Sequence, residues 1–271
     1  MNLPTLAFIG GGNMAGAIIG GLLKSGQPAS SILVVEPFDA QRTKLQSEFG
    51  VRTFATADAA LAQAALVVWA VKPQLFNEAA APCALDLSGA LQLSVMAGIR
   101  SGAIVRATGS ERVVRAMPNT PALIGQGIAG LFAQAGVTEA EKALVETVLA
   151  PTGRVLWVAR EDDLDAVTAL SGSGPAYVFY FVEAMIQAAC EMGLSAEQGK
   201  QLALATFAGA TSLAQASDDP PESLRERVTS KGGTTHAALM ALEASGVKAA
   251  FIGAIKAAQQ RARELGVEFG D

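Results

Sequence analysis

Histidine and cysteine are scarce in this 271-residue sequence, which limits the chemistry it can carry. There is one histidine, His236, and the two cysteines, Cys83 and Cys190, lie far apart and form no CxxC motif. This usage gives no sign of a disulfide framework and suits a reducing compartment. We therefore expect no metal site built from histidine and cysteine.

Blocks of lysine and arginine are also missing. The formal net charge is -5, whereas a nucleic-acid-binding protein usually carries a basic patch. Nucleic acid is therefore not an expected partner. Hydrophobic residues make up 51% of the chain and charged residues 17%, which is enough to fill a sizeable core in one or two domains.

No apolar run reaches the roughly 20 residues that a membrane span needs. The longest runs, AYVFYFVEAMIQAAC and KAAFIGAIKAA, are interrupted by Glu183, Gln187 and Lys256, which favours buried helices. The N-terminal stretch MNLPTLAFIGGG enters a strand-like segment without the basic and apolar regions of a secretion signal. We expect a cytoplasmic protein that does not associate with a membrane.

The first part of the chain alternates short apolar runs with helical patterns. The strand candidates are LAFIG (6–10), ILVVE (32–36), LVVWAV (66–71), LQLSV (91–95) and RVVRAM (112–117), with later runs near GIAGLF (127–132) and RVLWVA (154–159). Continuous apolar runs between helices are typical of parallel strands buried on both faces. We predict an α/β domain over residues 1–160, with a doubly wound and mostly parallel sheet.

From about Asp163 the strand signals stop. Runs of β-branched residues give way to alanine, leucine, methionine and glutamate, with breaks at GL (193–194), DDPP (218–221) and ASG (244–246). This pattern predicts four or five helices over residues 161–271. Several of them are apolar on more than one face, and such helices must be covered. We infer that a second subunit covers them.

A glycine motif follows the first strand. Gly10, Gly12 and Ala15 have the spacing G-x-G-x-x-A at the start of a helix. In dinucleotide-binding folds these positions allow a tight turn, a close approach of the backbone to a pyrophosphate, and close helix packing. The pattern predicts a nucleotide site, although a tight turn without a ligand has the same spacing.

Three other strand ends are candidates for the same site. Glu36 stands where an acid binds the ribose hydroxyls of NAD, and Arg42 is near enough in sequence to reach a phosphate. Lys72 and Asn119 follow later strands, next to prolines that end each strand. The segments of Lys72 and Asn119 can also be ordinary loops, and Glu36 can be a solvated acid at a strand end.

The segment VTSKGGTTHAAL (228–239) has a loop that leads into a helix. It can be a phosphate cradle, a site centred on His236, or a helix start at which Thr234 or Thr235 is the cap. A serine nucleophile at Ser171 or Ser173 is disfavoured, because a helix follows Pro175 and His236 lies in another motif.

Six motifs, in the same order along the chain, resemble those of the pyrroline-5-carboxylate reductase family. They are FIGGGNMA, AVKPQ (70–74), SVMAG (94–98), RAMPNTP (115–121), LSGSGPAYVF (170–179) and VTSKGGTT (228–235). The resemblance implies reduction of Δ1-pyrroline-5-carboxylate to L-proline with NAD(P)H. It also implies a Rossmann-type domain and a helical domain that forms a homodimer, in some members assembled into a decamer.

The resemblance also implies roles for individual residues. Cofactor-binding positions are Ile9, Gly10, Gly11, Gly12, Asn13, Met14, Ala70, Val71, Lys72, Pro73, Val95, Met96 and Ala97, to which we add Glu36 and Asn119. Ser230, Gly233, Thr234, Thr235 and Glu161 are the substrate-binding positions, with Thr235 as the catalytic residue at the ring nitrogen. The resemblance implies NADP(H) as the cofactor, since members of the family usually prefer NADPH. Many members have proline in place of Lys231 and no acid in place of Glu36, so NAD(H) stays possible here.

Two alternatives remain at this stage. One is a related oxidoreductase that acts on another imine or on a β-hydroxy acid, for which Lys200 and Lys231 are the candidate bases. The other is a nucleotide-binding protein that has kept the fold without catalysis. The imine reduction requires neither histidine nor cysteine, because the nicotinamide supplies the hydride and the protein binds and orients the substrate.

Overall fold

The computed structural model describes residues 3–57, 59–83 and 87–270. The chain forms two compact units, one comprising Met1–Ser173 with Ala258–Asp271 and the other comprising Gly174–Ala257. The assignment of residues 1–160 to nucleotide binding and 161–271 to substrate binding and dimerisation stays a prediction.

The first unit contains an eight-stranded sheet. Its strands are β1 Leu6–Ile9, β2 Ile32–Val35, β3 Arg52–Phe54, β4 Leu66–Trp69, β5 Leu91–Ser94, β6 Val113–Met117, β7 Gly127–Ala133 and β8 Gly153–Trp157. They lie in the order β3-β2-β1-β4-β5-β6-β7-β8, and all neighbouring pairs are parallel except β6 with β7. The first six strands have the order of a Rossmann sheet, which confirms the predicted fold class.

One strand has no counterpart among the predicted apolar runs. Strand β3 is three residues long, is partly exposed, and pairs only with β2 at the edge of the sheet. An edge strand of this kind buries little side-chain surface, so its sequence, RTF, has no continuous apolar run. Every other strand overlaps a predicted one.

Helices cover both faces of the sheet. In this unit they are α1 Asn13–Lys24, α2 Asp39–Phe49, α3 Phe76–Ala80, α4 Ser101–Thr108, α5 Glu139–Leu149 and α6 Asp163–Val167. Alternate residues of β1 enter two separate cores: Leu6 and Phe8 pack with α1, α2 and α5, whereas Ala7 and Ile9 pack with α3 and α4. This alternation is the reason that the strands are apolar at every position.

The second unit is helical. Its helices are α7 Gly174–Glu191, α8 Ala196–Gln215, α9 Pro221–Arg227, α10 Thr234–Ala244 and the first part of α11 Val247–Gly270. The breaks fall at the three predicted positions. The described part of residues 161–271 contains six α-helices, α6 to α11, where four or five were expected, and α6 belongs to the first unit. The polar sequence of α9, PESLRER, shows no apolar stripe by which to recognise a helix.

Many large hydrophobic side chains of the second unit are exposed. Phe179 is 58% exposed, Tyr180 69%, Leu213 60% and Met240 55%. The hydrophobic residues of this unit that are buried include Val182, Ala189 and Ala203. Among the described residues no single helix is long and apolar enough to cross a membrane, although α10 and α11 pass that test as a bent pair, by length and composition alone.

Candidate active site

The predicted nucleotide-binding residues lie at one edge of the sheet. In the strand register, Ile9 pairs with both Val35 and Trp69, and Trp69 pairs with Ser94. The parallel ladder continues past these pairs: the Ala70 amide donates to the Ile9 carbonyl at 2.8 Å, and the Val95 amide to the Trp69 carbonyl at 3.0 Å. The loops that follow β1, β2, β4 and β5 therefore leave neighbouring strands at their carboxyl ends, where ligands of such sheets bind.

The glycine-rich loop has the geometry that its motif predicts. Gly10 has φ +97°, and a Cβ there would lie 2.7 Å from the carbonyl oxygen of Ala70. A Cβ on Gly12 would meet no heavy atom within 4 Å, so the backbone is open to an approaching ligand at that point. Helix α1 begins at Asn13, and no side chain caps it. Its first N–H groups therefore remain available to an anion, which fits a nucleotide pyrophosphate.

Glu36 is buried, with 7% of its surface exposed, and its carboxylate faces the glycine-rich loop. Oε2 accepts a hydrogen bond from the Gly11 amide at 3.0 Å, and Oε1 accepts one from the Phe38 amide at 3.0 Å. Arg42 donates to the carbonyl oxygens of Glu36 and Pro37 at 2.9 and 2.7 Å. The alternative of an exposed strand-end acid is wrong, and contact with a cofactor ribose stays a prediction.

The residues in the other loops at this edge differ in their solvent exposure. Met96 is buried, whereas Ala70, Val71, Val95 and Ala97 are partly exposed and Lys72 is exposed at the start of a short turn. Gly98, which follows Ala97, has φ +76°, and a Cβ there would lie 3.1 Å from the Leu265 carbonyl oxygen. The C-terminal part of α11 therefore packs closely against the loop that follows β5.

Both polar atoms of the Asn119 side-chain amide form hydrogen bonds. Nδ2 donates to Ser171 Oγ at 3.2 Å, and Oδ1 accepts from the Ile128 amide at 3.1 Å. The side chain thus connects the end of β6 with β7 and with the turn 168–172. In that turn, a Cβ on Gly172 would lie 2.7 Å from Met117 Cε, so close packing accounts for Gly172, whereas a Cβ on Gly174 would meet no heavy atom within 4 Å.

Glu161 forms a partly buried network within the first unit. Its Oε1 accepts from the Ser101 amide at 2.7 Å and from Arg115 at 2.9 Å, and its Oε2 accepts from Ser101 Oγ at 2.6 Å. Gln134 donates to the same hydroxyl at 2.7 Å. Because Ser101 is the first residue of α4, Glu161 binds a free helix amide there. Contact of Glu161 with substrate stays a prediction.

Charge and burial shift both pKa values in this ion pair. Burial works to raise the pKa of Glu161, but the hydrogen bonds from Ser101 and the charge of Arg115 outweigh it, so the pKa lies below its ordinary value. Burial lowers the pKa of Arg115, and Glu161 opposes that shift. Arg115 was not among the predicted site residues, although a charged residue inside the apolar run RVVRAM is a signal of a buried ion pair.

The substrate-binding candidates of the second unit lie in a tight turn before α10. Gly232 has φ +78°, the Gly233 amide donates to the Ser230 carbonyl at 3.0 Å, and a Cβ on Gly233 would lie 2.8 Å from Ser230 Oγ. Helix α10 begins at Thr234, with Gly233 as its N-cap residue and no side-chain cap. The alternative that Thr234 or Thr235 caps this helix is therefore wrong.

This arrangement determines which amides can meet an anion. The Gly233 N–H is already used, whereas the N–H groups of Thr234 and Thr235 lie in the first turn, where a helix supplies no acceptor. Thr235 and His236 are both partly exposed in that turn. Two such amides and the positive end of a helix dipole suit a small anion, such as a carboxylate or a phosphate.

The chain matches two family descriptions. Residues 161–265 match pyrroline-5-carboxylate reductase dimerisation, and residues 5–98 match NADP oxidoreductase coenzyme F420-dependent. It is 42% identical to the pyrroline-5-carboxylate reductase of Pseudomonas aeruginosa across 100% of both chains. It is 40% identical to that of Haemophilus influenzae across 98% of both.

Solved structures give a consistent result. A pyrroline-5-carboxylate reductase from Coxiella burnetii superposes with a TM-score of 0.89 at 37% identity, covering 97% of this chain and 99% of that one. A pyrroline carboxylate reductase from Plasmodium falciparum, solved with NADP bound, has a TM-score of 0.86 at 28% identity, covering 98% and 99%.

Proposed function

The chain belongs to the pyrroline-5-carboxylate reductase family, and on that premise we propose that it reduces the C=N bond of Δ1-pyrroline-5-carboxylate to form L-proline. This reaction is the last step of proline biosynthesis. The observation that supports it most directly is the Ser230–Gly233 turn, which leads into an uncapped helix with Thr234 and Thr235 in its first turn. An anionic imine needs amides for its carboxylate and a hydroxyl for its nitrogen, and this segment has both.

We assign nucleotide binding to the first unit. Ile9 to Met14 hold the pyrophosphate, Ala70 to Pro73 flank the ribose and nicotinamide side, and Val95 to Ala97 lie beside the nicotinamide. The open backbone at Gly12 and the uncapped start of α1 support this assignment. When bound, the reduced nicotinamide supplies a hydride, while these loops hold it in place and exclude water.

The second unit binds and orients the substrate. The amides of Thr234 and Thr235 bind the carboxylate, and the Thr235 hydroxyl hydrogen-bonds to the ring nitrogen, which fixes the face of the ring that is reduced. Ser230 supports the turn from which both threonines start. A protonated imine is already electrophilic, so positioning accounts for most of what the protein contributes.

We favour NADPH over NADH as the physiological cofactor. The reasons are the family preference and the structure of the turn after β2, where two amides hold the Glu36 carboxylate and the Arg42 guanidinium donates to the backbone carbonyl oxygens of Glu36 and Pro37. The protein acts in the cytoplasm as a homodimer formed through its helical unit. A decamer built from such dimers is the larger alternative, and the mass in solution separates the two.

The test is an assay of purified protein with Δ1-pyrroline-5-carboxylate and either NADPH or NADH, followed by nicotinamide absorbance. Oxidation should depend on the imine, and its absence with both cofactors would rule out the proposed reaction. A matched control is 1-pyrroline, the same ring without its carboxylate. We expect kcat/KM for this control to be roughly 100-fold lower, since a site built for a polar group discriminates against an analogue that lacks it.

A further inference from the structure

Two side chains from the β2–α2 segment hold the peptide groups of Gly11 from opposite directions. Glu36 accepts the Gly11 N–H at 3.0 Å, and the Gln41 side-chain amide donates to the Gly11 carbonyl oxygen at 2.5 Å. We propose that Glu36 and Gln41 form a clamp that fixes the glycine-rich loop, and that they set the affinity for NADPH and NADH alike. The proposal rests on the nucleotide-binding role proposed above.

The clamp leaves Gly11 little freedom. A Cβ on Gly11 would lie 2.5 Å from Leu45 Cδ1 and 3.4 Å from Glu36 Oε2, so the loop rests directly on α2 and on the end of β2. The Gly11 N–H and C=O are both committed to protein partners. The amides available to a pyrophosphate are then those from Gly12 onward, and the Gly11 carbonyl oxygen is held where it cannot turn to repel a phosphate.

Glu36 has the environment of a positioning residue. Its carboxylate is buried, and its two oxygens already accept the amides of Gly11 and Phe38 at 3.0 Å each. A residue that chose between the nucleotides through the adenosine ribose would affect NADH and NADPH differently. A residue that holds the loop beneath the pyrophosphate, a group common to both nucleotides, changes both affinities by the same factor.

The test compares Glu36→Gln with Asp39→Asn. Each removes one negative charge from the same turn, but only the first removes an acceptor that is in use. Both Glu36 oxygens accept an amide, and in glutamine one of them becomes an NH2 group that faces the N–H of Gly11 or of Phe38. Asp39 is exposed and pairs with Arg42, away from the glycine loop. Affinities for NADPH and NADH are measured by calorimetry on the full-length protein without substrate.

We expect Glu36→Gln to weaken both nucleotides about tenfold, equivalent to roughly 1.4 kcal/mol, and their ratio to stay within about twofold. Asp39→Asn should leave both affinities within about twofold of the original. Gln41→Ala should weaken both nucleotides, and the double variant should lose less than the combined single losses, because both side chains hold the same residue, Gly11. The KM for each nucleotide should rise with kcat nearly unchanged at saturation, whereas a general loss of structure would lower kcat as well.

A fivefold or larger change in the NADPH to NADH ratio in Glu36→Gln would overturn the inference in favour of ribose recognition. If Asp39→Asn weakened both nucleotides as much as Glu36→Gln does, the inference would be overturned, because the loss of affinity would then follow from the loss of charge alone. Amide hydrogen exchange at Gly11 gives a readout without nucleotide: exchange should accelerate in Glu36→Gln, and unchanged exchange would refute the clamp. If the original protein binds neither nucleotide, the proposed function fails, while the exchange measurement still decides on the clamp.

Discussion

The sheet unit and the helical unit differ most in how they bury hydrophobic side chains. In the sheet unit, Leu6, Phe8 and Trp69 are fully buried, and helices from the same unit cover both faces. In the helical unit, Phe179 and Tyr180 are more than half exposed. The sheet unit therefore completes its own core, whereas the helical unit presents an apolar surface of the kind that a partner covers.

The ion pairs that we compare between the two units also differ in burial. The sheet unit holds Arg115 and Glu161 together at 2.9 Å with little exposure, while in the helical unit the ion pair between Arg227 and Asp219 lies at the surface. Buried ion pairs require surroundings that are already well packed, because each charge has lost its water. We conclude that the sheet unit is the more rigidly specified of the two.

The largest expected effect is on assembly. Phe179→Asp places a carboxylate on the apolar surface of α7, and burying it unpaired costs several kcal/mol. We expect subunit association to weaken roughly 10³-fold, the equivalent of about 4 kcal/mol, as measured by sedimentation or light scattering. Phe38→Asp is the matched control, since Phe38 is 69% exposed in the sheet unit. The mass of the Phe38→Asp variant in solution should not change. Dissociation of both variants would contradict the conclusion that the helical unit alone presents the association surface.

The second prediction separates the roles of the two units in catalysis. Thr235→Ala removes the hydroxyl at the start of α10, so kcat should fall about 100-fold, while the affinity for NADPH, bound by the sheet unit, should be nearly unchanged. Thr235→Ser should restore most of the rate, and His236→Ala should retain it. Steady-state kinetics and nucleotide titration check this, and an equal loss of nucleotide affinity would show that Thr235 acts elsewhere.

A smaller effect is expected for the ion pair of the sheet unit. Glu161→Gln leaves Arg115 buried without its counter-ion and should lower the free energy of unfolding by about 2 kcal/mol at neutral pH. The pKa of Glu161 is lowered in the folded state, so its contribution is present above the unfolded pKa and is lost as the pH falls through the folded pKa. Urea unfolding should show the deficit shrinking on acidification below the ordinary value of 4.5. A constant deficit would mean that the charge of Glu161 is not what stabilises the fold.

The smallest effects concern two helix caps that are alike in both units. Thr138 and Ser195 each form a capping box, at the starts of α5 and α8. Thr138→Ala and Ser195→Ala should each cost about 1 kcal/mol of stability by urea unfolding, with no change in subunit mass. Equal losses would show that local helix chemistry is the same in the two units. Dissociation of the Ser195 variant would instead connect this cap to assembly.

Local patterns predicted much of this structure, because the buried strands are apolar at every position and glycine marks each helix break in the second unit except the one at DDPP. They missed β3, whose residues Arg52–Phe54 bury too little surface to leave a pattern. They also missed Arg115, whose partner Glu161 lies 46 residues away. For the candidate site, the segments could be predicted from the sequence, but the N-cap residue of α10 could not. Threonine is a common N-cap residue, so the sequence offered Thr234 or Thr235, whereas backbone geometry makes it Gly233.

The sequence by itself determined the succession of the buried strands and most helices along the chain, the glycine-rich loop and the family, because these depend on residue type and spacing along the chain. Tertiary structure decided where the polar groups point. Glu36 could have faced solvent or a ligand, and the close approach of Gly11 and Phe38 turned its carboxylate inward. Hydrogen bonds of this kind join residues from separate loops, and spacing along the chain does not encode their directions.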